Sequence, residues 1–284
     1  MTASPPIISG LSQIASRYDA AICDVWGVVH NGREPFRAAI DAMRRFRDAH
    51  GPVVLLSNAP RPDHGVREMF DRLSIPHDFY DYIVTSGGEA RADLMCRTES
   101  GQTLKLFHLG PVRDDPLFSG LNVTIAGAEE ADVVLCTGFY DDEKETADDY
   151  QSLLASFMRR QLPFLCANPD IVVQRGDRLI PCAGAIARLY ECMGGDVIYY
   201  GKPYASVFEA SLREARKRGP AAQALVIGDG PETDIIGANR LNLDALFILS
   251  GIHSAQFRAN PSAAGELLAR AGAHAIGIMP ELKW

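Results

Sequence analysis

The rest of this chain is organised around the stretch Ala21-Ile22-Cys23-Asp24-Val25-Trp26-Gly27-Val28-Val29-His30. Its small and apolar residues run into a single aspartate, which predicts a buried parallel strand that ends by placing a carboxylate at the edge of a sheet. Asp24 is therefore a candidate nucleophile. The alternative interpretation is an ordinary strand end, at which the aspartate begins a turn and Gly27 supplies an unusual backbone angle.

Strand and helix patterns alternate after Asp24. Apolar residues at helical spacing predict a helix over residues 35–50, and Pro52-Val53-Val54-Leu55-Leu56 predicts a second buried strand, followed by Ser57 and Asn58. Another helix comes next, followed by a third strand and turn over residues 82–88. This alternation predicts a parallel α/β sheet with its ligand site at the carboxyl ends of the strands. For Ser57 and Asn58, simple turn chemistry is the alternative interpretation.

Residues 88–196 continue the alternation but look like a separate unit, and Gly194-Gly195 is a plausible boundary. The acidic segment Asp141-Asp142-Glu143-Lys144-Glu145 predicts a solvated helix start, with the helix reaching about Arg160. A hairpin is expected around Arg175-Gly176-Asp177.

Two further strand ends carry charged residues. Lys202 follows a short strand and lies between Gly201 and Pro203, a position that suits a fixed ammonium group. The buried strand Ala224-Leu225-Val226-Ile227-Gly228 releases Asp229 and, five positions later, Asp234. Two such carboxylates suit a hard divalent cation. The alternative is a helix cap formed by Thr233 or Asp234.

Composition limits the possible functions. The chain has 284 residues, of which 47% are hydrophobic and 23% charged, and its formal net charge is -8. This charge argues against a general electrostatic interaction with nucleic acid or an anionic membrane. We find no targeting segment and no run of eighteen apolar residues, so a cytoplasmic location is the expectation.

Cysteine and histidine spacing indicates neither disulfides nor a transition-metal site. The cysteines are widely spaced, mostly lie inside apolar runs and never form Cys-x-x-Cys, which favours reduced, buried thiols; they are Cys23, Cys96, Cys136, Cys166, Cys182 and Cys192. The seven histidines lack the paired spacing of a zinc site.

Taken together, the strand ends deliver an aspartate, then serine and asparagine, then a lysine, then Gly228-Asp229 with Thr233-Asp234. In this order and spacing the chain resembles the haloacid dehalogenase superfamily over about residues 18–280. The resemblance is to its class IIA branch of nitrophenylphosphatase-like and sugar-phosphatase-like proteins. It implies a Rossmann-like parallel sheet core with helices on both faces, residues 1–87 and 197–284, and a large inserted α/β cap domain, residues 88–196.

The resemblance also implies site roles for a magnesium-dependent phosphatase acting on a small phosphorylated metabolite. Asp24 would form an aspartyl-phosphate. Ser57, Asn58 and Lys202 would bind the phosphoryl group, and Asn168 and Asp170 of the cap would face the substrate. For Asn168 and Asp170, a helix cap or a turn is the alternative interpretation. Mg²⁺ would be held by Asp24, Asp229 and the backbone carbonyl of Trp26, with Asp234 ordering its water shell or Lys202. Class IIA relatives often form dimers through the cap, so a homodimer is expected.

Trp26 departs from the family pattern. Phosphatases of the family usually carry a second aspartate here, two residues after the nucleophile, as general acid and base. That chemistry is worth about 10²–10⁴ in rate, and the indole nitrogen only donates a hydrogen bond. Three hypotheses follow: a phosphatase for substrates with good leaving groups, or one that recruits a residue such as His30; an enzyme of altered aspartate-ester chemistry; or a phosphate-ligand binding or sensor protein. Trp26 could also form a hydrophobic wall for the substrate. For His30, the alternative interpretation is that it caps the turn or packs against the cap domain.

Overall fold

The computed structural model describes residues 5–99, 101–175, 178–250 and 263–284, and its main element is a parallel sheet of six strands in the order β13-β12-β11-β1-β2-β3. Every pair of neighbours in it is parallel. Its strands are β1 (Ala20–Asp24), β2 (Val53–Ser57), β3 (Tyr82–Thr85), β11 (Ala224–Gly228), β12 (Asp244–Ile248) and β13 (Gly277–Met279).

Helices cover both faces of this sheet, as the family resemblance implied. Alternate residues of β1 point to opposite faces: Ala21 and Cys23 pack in the cluster that includes the first helices, whereas Ala20 and Ile22 pack against the last ones. The helices on the first face are α1 (Arg37–Ala49) and α2 (Asp63–Arg72), and those on the second are α6 (Ala205–Arg216), α7 (Ile236–Arg240) and α8 (Ala263–Ala271).

A second parallel sheet has five strands in the order β10-β7-β6-β4-β5. Its strands are β4 (Leu104–Leu109), β5 (Val123–Ile125), β6 (Val133–Cys136), β7 (Phe164–Cys166) and β10 (Val197–Tyr199), and its helices are α3 (Ser86–Thr98), α4 (Gln151–Arg160) and α5 (Ala183–Cys192). β10 pairs with β7 although it lies past the expected boundary at Gly194-Gly195. The division of the chain at residues 88 and 196 stays a prediction.

Two local expectations can be compared with the structure. The hairpin is present as β8 (Val172–Arg175) paired antiparallel with β9 (Arg178–Pro181), while its expected turn, Gly176-Asp177, lies outside the described residues. The prediction that a helix begins at Asp141 was wrong. The helix begins only at Gln151, after a 3-10 turn, Ala147–Tyr150. The carboxylates of Asp141 and Glu145 instead accept hydrogen bonds from nearby backbone N–H groups, which stabilises turns.

The six cysteines are free thiols, as expected. Four of them are buried, but the expectation of burial was wrong for Cys96 and Cys192, which are exposed near the ends of α3 and α5. No helix among the described residues combines the length and apolar character that crossing a membrane requires.

Candidate active site

The carboxyl ends of β1, β2 and β11 meet at one edge of the six-stranded sheet, because these strands are neighbours and parallel. Asp24 and Ser57 are the last residues of their strands, and Asp229 follows β11 directly. The sheet topology therefore brings together side chains that lie far apart in the sequence.

Lys202 links two of the site's carboxylates. Its Nζ donates hydrogen bonds to Asp24 Oδ1 and, at 2.8 Å, to Asp234 Oδ1. All three side chains are at most 5% exposed. Burial alone would lower the pKa of Lys202, but Asp234 and Asp24 raise it above its ordinary value. The lysine is therefore a fixed ammonium group, as its position between Gly201 and Pro203 predicted.

Asp24, Asp229 and Asp234 form a carboxylate cluster in which one oxygen from each lies within 4.8 Å of the others. Burial raises the pKa of Asp24 to about 7, against the opposing effect of Lys202, and burial together with Asp24 raises that of Asp229 well above its ordinary value. When all three carboxylates are ionised, they and the single ammonium group carry two excess negative charges. A bound divalent cation would offset them, so the residues present fit a hard metal ion.

Gly27 allows this cluster to close. Its φ is +93°, and a Cβ at this position would lie 2.1 Å from Asp229 Oδ2. A residue with a side chain would therefore both be strained and displace a carboxylate of the cluster.

The alternative interpretation, in which Thr233 or Asp234 caps a helix, was wrong: α7 begins at Ile236 after Ile235, without a side-chain cap. The Oδ2 atom of Asp234 instead accepts a hydrogen bond from the preceding Gly230 N–H. Asp234 lies in a π-helical turn, Pro231–Ile235, rather than at the start of an α-helix.

Asn58 holds the backbone of Lys202 from both sides. Its Oδ1 accepts from the Lys202 N–H at 2.7 Å, and its Nδ2 donates to the Lys202 carbonyl at 3.3 Å and to Asp170 Oδ1 at 2.8 Å. Asn168 in turn accepts from the Asp170 N–H. The predicted residues Asn58, Asn168 and Asp170 are therefore brought to the site, with Asp170 bonded to a protein partner.

Ser57 is also buried at the site, and its Oγ accepts a hydrogen bond from the Ala59 N–H at 3.2 Å. This is the turn contact that the alternative interpretation expected. The hydroxyl proton is still able to donate to an anion.

The ring of Trp26 lies against Gly32, where an added Cβ would come within 2.6 Å of Trp26 Cη2. His30 meets the indole edge to face, with ring centroids 5.1 Å apart. Its Nδ1 accepts from the Gly32 N–H at 3.0 Å, which leaves the ring proton on Nε2. Burial lowers the pKa of His30 to about 4, so the ring is neutral at pH 7.

These side chains face a cavity of about 960 Å³ between the two sheets. This is the size of a pocket for a small organic ligand. Sequence reasoning missed several charged residues of its wall: Arg61, Arg113, Asp114, Asp142 and Arg175. Asp142 was predicted to be a solvated helix-start residue, yet its side chain is only 12% exposed. Its partners are distant in sequence, so no local pattern reveals them.

Comparison with known proteins identifies the family. Residues 21–116 match the haloacid dehalogenase-like hydrolase family, and residues 199–275 match the HAD-hydrolase-like family. A crystal structure of a haloacid dehalogenase-like hydrolase from Brucella suis 1330 is 40% identical, covers 97% of this chain and 100% of that one, and superposes with a TM-score of 0.85. This chain belongs to the haloacid dehalogenase-like hydrolase family.

Curated relatives of this HAD-like hydrolase are phosphatases, which agrees with the family assignment. D-glycerol 3-phosphate phosphatase of Mycobacterium tuberculosis is 27% identical over 86% of this chain and 67% of its own length. Ribonucleotide monophosphatase NagD of Escherichia coli K12 is 24% identical over 82% of this chain and 88% of its own length. These relatives and the fold confirm the class IIA resemblance, including the Rossmann-like core with a cap.

Proposed function

We propose that this HAD-like hydrolase is a magnesium-dependent phosphatase of small phosphate monoesters, with Asp24 as its nucleophile. The observation that carries the proposal is the convergence of Asp24, Asp229, Asp234 and Lys202 at the carboxyl edge of the sheet. The relatives support the substrate class, since one is a phosphatase of D-glycerol 3-phosphate and another of ribonucleotides.

Asp24, Asp229 and the Trp26 carbonyl would hold the ion, and Asp234 would order its water shell while it holds Lys202. Oxygen-only ligands favour Mg²⁺ over softer metals. When bound, Mg²⁺ supplies the positive charge that offsets repulsion between a phosphate dianion and the Asp24 carboxylate.

The protein's own residues then perform a two-step transfer. A carboxylate oxygen of Asp24 forms a bond to phosphorus while the ester oxygen–phosphorus bond breaks, and water later hydrolyses the aspartyl-phosphate to release phosphate. Ser57 and Lys202 donate hydrogen bonds to the phosphoryl oxygens. Asn58 keeps the Lys202 backbone in place, which limits the motion of its ammonium group.

Trp26 sets the choice of substrate. The indole cannot protonate the leaving oxygen, and the Nδ1 atom of buried His30 is already occupied by the Gly32 N–H. These contacts favour a structural role for His30 rather than acid–base chemistry. For Trp26 they favour a role as a wall of the substrate site. Phosphates whose leaving group departs without a proton, such as aryl esters or acyl phosphates, are therefore the preferred substrates.

A comparison of aryl and alkyl phosphate hydrolysis with Mg²⁺ tests the proposal, with Asp24→Asn as the blank. We expect the wild type to favour aryl phosphates strongly, and Trp26→Asp to narrow the difference. Equal wild-type rates on both esters would refute the leaving-group argument. Unchanged activity in Asp24→Asn would refute the nucleophile assignment.

The indole at position 26 also favours a second candidate, a phosphate-ligand binding or sensor protein on the same scaffold. Magnesium-dependent binding of phosphate esters without turnover would support this candidate. A phosphorylated or fluoroberyllate-bound Asp24, detected by mass spectrometry or fluorine NMR, would support the enzyme.

A further inference from the structure

The cavity wall carries two arginines that share one carboxylate. Arg113 Nη2 lies 3.0 Å from Asp142 Oδ2, and Arg175 donates to both oxygens of Asp142, with Nη1 at 3.2 Å and Nη2 at 2.9 Å. Arg113 lies in the 3-10 turn Val112–Leu117, Arg175 ends β8, and Asp142 follows β6. We call Arg113 and Arg175 the arginine pair.

Exposure differs sharply within this group. The Asp142 side chain is only 12% exposed, whereas those of Arg113 and Arg175 are 53% and 41% exposed. Hydrogen bonds from Arg175 are the main cause of a lowered pKa at Asp142, so the carboxylate is ionised at neutral pH. The Asp142 carboxylate is thus largely occupied by its partners, and the guanidinium groups are left accessible.

The arginine pair retains positive charge and hydrogen-bond donors. Two guanidinium groups and one carboxylate carry a net charge of +1. A guanidinium has five N–H donors, and among the described residues Arg113 donates only one hydrogen bond, the one to Asp142. Arg61, another charged side chain of the cavity wall, does not share its partner in this way: within the described ranges it is matched one to one by Asp114, at 2.7 Å.

Apolar side chains line the same cavity. Ile171 and Val172 are 41% and 40% exposed at the start of the hairpin strand that ends in Arg175, and Phe139 also contributes to the wall. A ligand that fills this cavity therefore meets three environments: the carboxylate cluster with Lys202, an apolar wall, and the arginine pair.

We propose that the arginine pair binds a second anionic group of the substrate, a carboxylate or a second phosphate on the leaving alcohol. This inference rests on the proposed phosphatase function. Paired guanidinium groups present forked donors that match the oxygens of carboxylate and phosphate. The preferred substrate is thus a phosphate monoester with an apolar body and a distal anion.

A purely structural role would give a different result. In that case Arg113 and Arg175 only tie the β8–β9 hairpin to the rest of the cap, and losing one of them would weaken binding of all esters alike. Arg178 provides a matched control. It faces Arg175 in the hairpin register, pairs with Glu143 at 3.5 Å and does not line the cavity.

The experiment compares para-carboxyphenyl phosphate with its uncharged isostere, para-carbamoylphenyl phosphate, in the wild type, Arg113→Gln and Arg178→Gln, all with Mg²⁺. The inference predicts that Arg113→Gln raises KM for the carboxylate ester about tenfold more than KM for the carbamoyl ester, as expected for loss of a charge-assisted bond. Arg178→Gln leaves the ratio of the two KM values as in the wild type. A third ester, para-phenylene bisphosphate, carries a phosphate in place of the carboxylate. Comparing its KM with that of para-carboxyphenyl phosphate shows which of the two anions the arginine pair binds better.

An equal rise in both KM values, or none, would overturn the inference. Turnover of neither ester by the wild type would refute the phosphatase proposal instead. In that case, calorimetric titration of the wild type and Arg113→Gln with the same two esters tests whether the arginine pair binds the distal anion. Preference for the carboxylate ester that Arg113→Gln removes supports the inference, and equal binding of both esters overturns it.

Discussion

Replacing His30 by asparagine should make the stability of this protein less sensitive to acid. The ring is 2% exposed and burial lowers its pKa from 6.5 to about 4. In the His30→Asn variant the amide Oδ1 atom takes the place of the imidazole Nδ1 as acceptor for the Gly32 N–H. The variant therefore keeps the hydrogen bond but removes the titrating group.

The direction in which stability changes with pH follows from proton binding at His30. Between pH 6.5 and pH 4 the unfolded chain binds a proton at His30 that the folded chain does not, so the free energy of unfolding falls as the pH falls through this window. At about 1.4 kcal/mol for each pH unit, the gap between the two pKa values corresponds to about 3 kcal/mol in total, of which about 2 kcal/mol is lost by pH 5. Above pH 6.5 this stabilisation is fully present.

Urea unfolding of the wild type and His30→Asn between pH 7 and pH 5 measures the effect. The wild type should lose about 2 kcal/mol more than the variant across this range, because the carboxylates of the site contribute equally to both proteins. His64→Asn, at an exposed position, controls for the loss of one histidine. Parallel stability curves for the wild type and His30→Asn would refute the claim that His30 is buried in its neutral form.

Three further predictions concern the site itself. Gly27→Ala should cost about 1–3 kcal/mol of unfolding free energy and weaken magnesium binding, because its Cβ meets Asp229; urea unfolding and calorimetry measure both. Asn58→Ala should lower kcat, since the Lys202 backbone loses both of its bonds to the amide; steady-state kinetics measures this. Mg²⁺ at about 100 times its Kd should stabilise the wild type by about 2.7 kcal/mol, and Asp229→Asn should reduce the gain; thermal unfolding measures this.

The chain offers a matched control for the first two. Gly120 also has a positive φ, +75°, but an added Cβ there has no neighbour within 4 Å, so Gly120→Ala should leave magnesium binding intact. Asn239 holds the backbone of His274 by the same two contacts, so Asn239→Ala should lower stability without lowering kcat. Gly120→Ala weakening magnesium binding as much as Gly27→Ala would contradict the first prediction. Asn239→Ala lowering kcat as much as Asn58→Ala would contradict the second. A Tm that does not respond to Mg²⁺ would contradict the third prediction.

The sequence predicted the parallel fold, and it indicated the main candidate site residues, because both depend on local patterns. A buried strand that ends in a polar residue places it at the sheet edge whatever the strand order, so Asp24, Ser57 and Asp229 were all found from their own segments. The family resemblance then supplied the roles that spacing left open.

Contacts between distant segments were not predictable in this way. The arginine pair joins a 3-10 turn, a hairpin and a loop through Asp142, and none of the three segments carries a sign of the others. The sheet that β10 joins was not predictable for the same reason, since three apolar residues, Val197–Tyr199, are too few to indicate which sheet they enter. The helix expected from Asp141 failed because side chains bonded to the backbone compete with the helix.

The strand order of the six-stranded sheet has a consequence for folding. β1 pairs with β11 between Ala20 and Ala224, so the centre of this sheet joins the two ends of the chain, whereas the five-stranded sheet draws all its strands from one continuous segment. Closing a long loop costs entropy before its contacts form. During synthesis the five-stranded sheet is therefore able to form first, and β1 keeps an unpaired edge until β11 has emerged from the ribosome. Chaperone capture of nascent chains that end before residue 224 is the expected result.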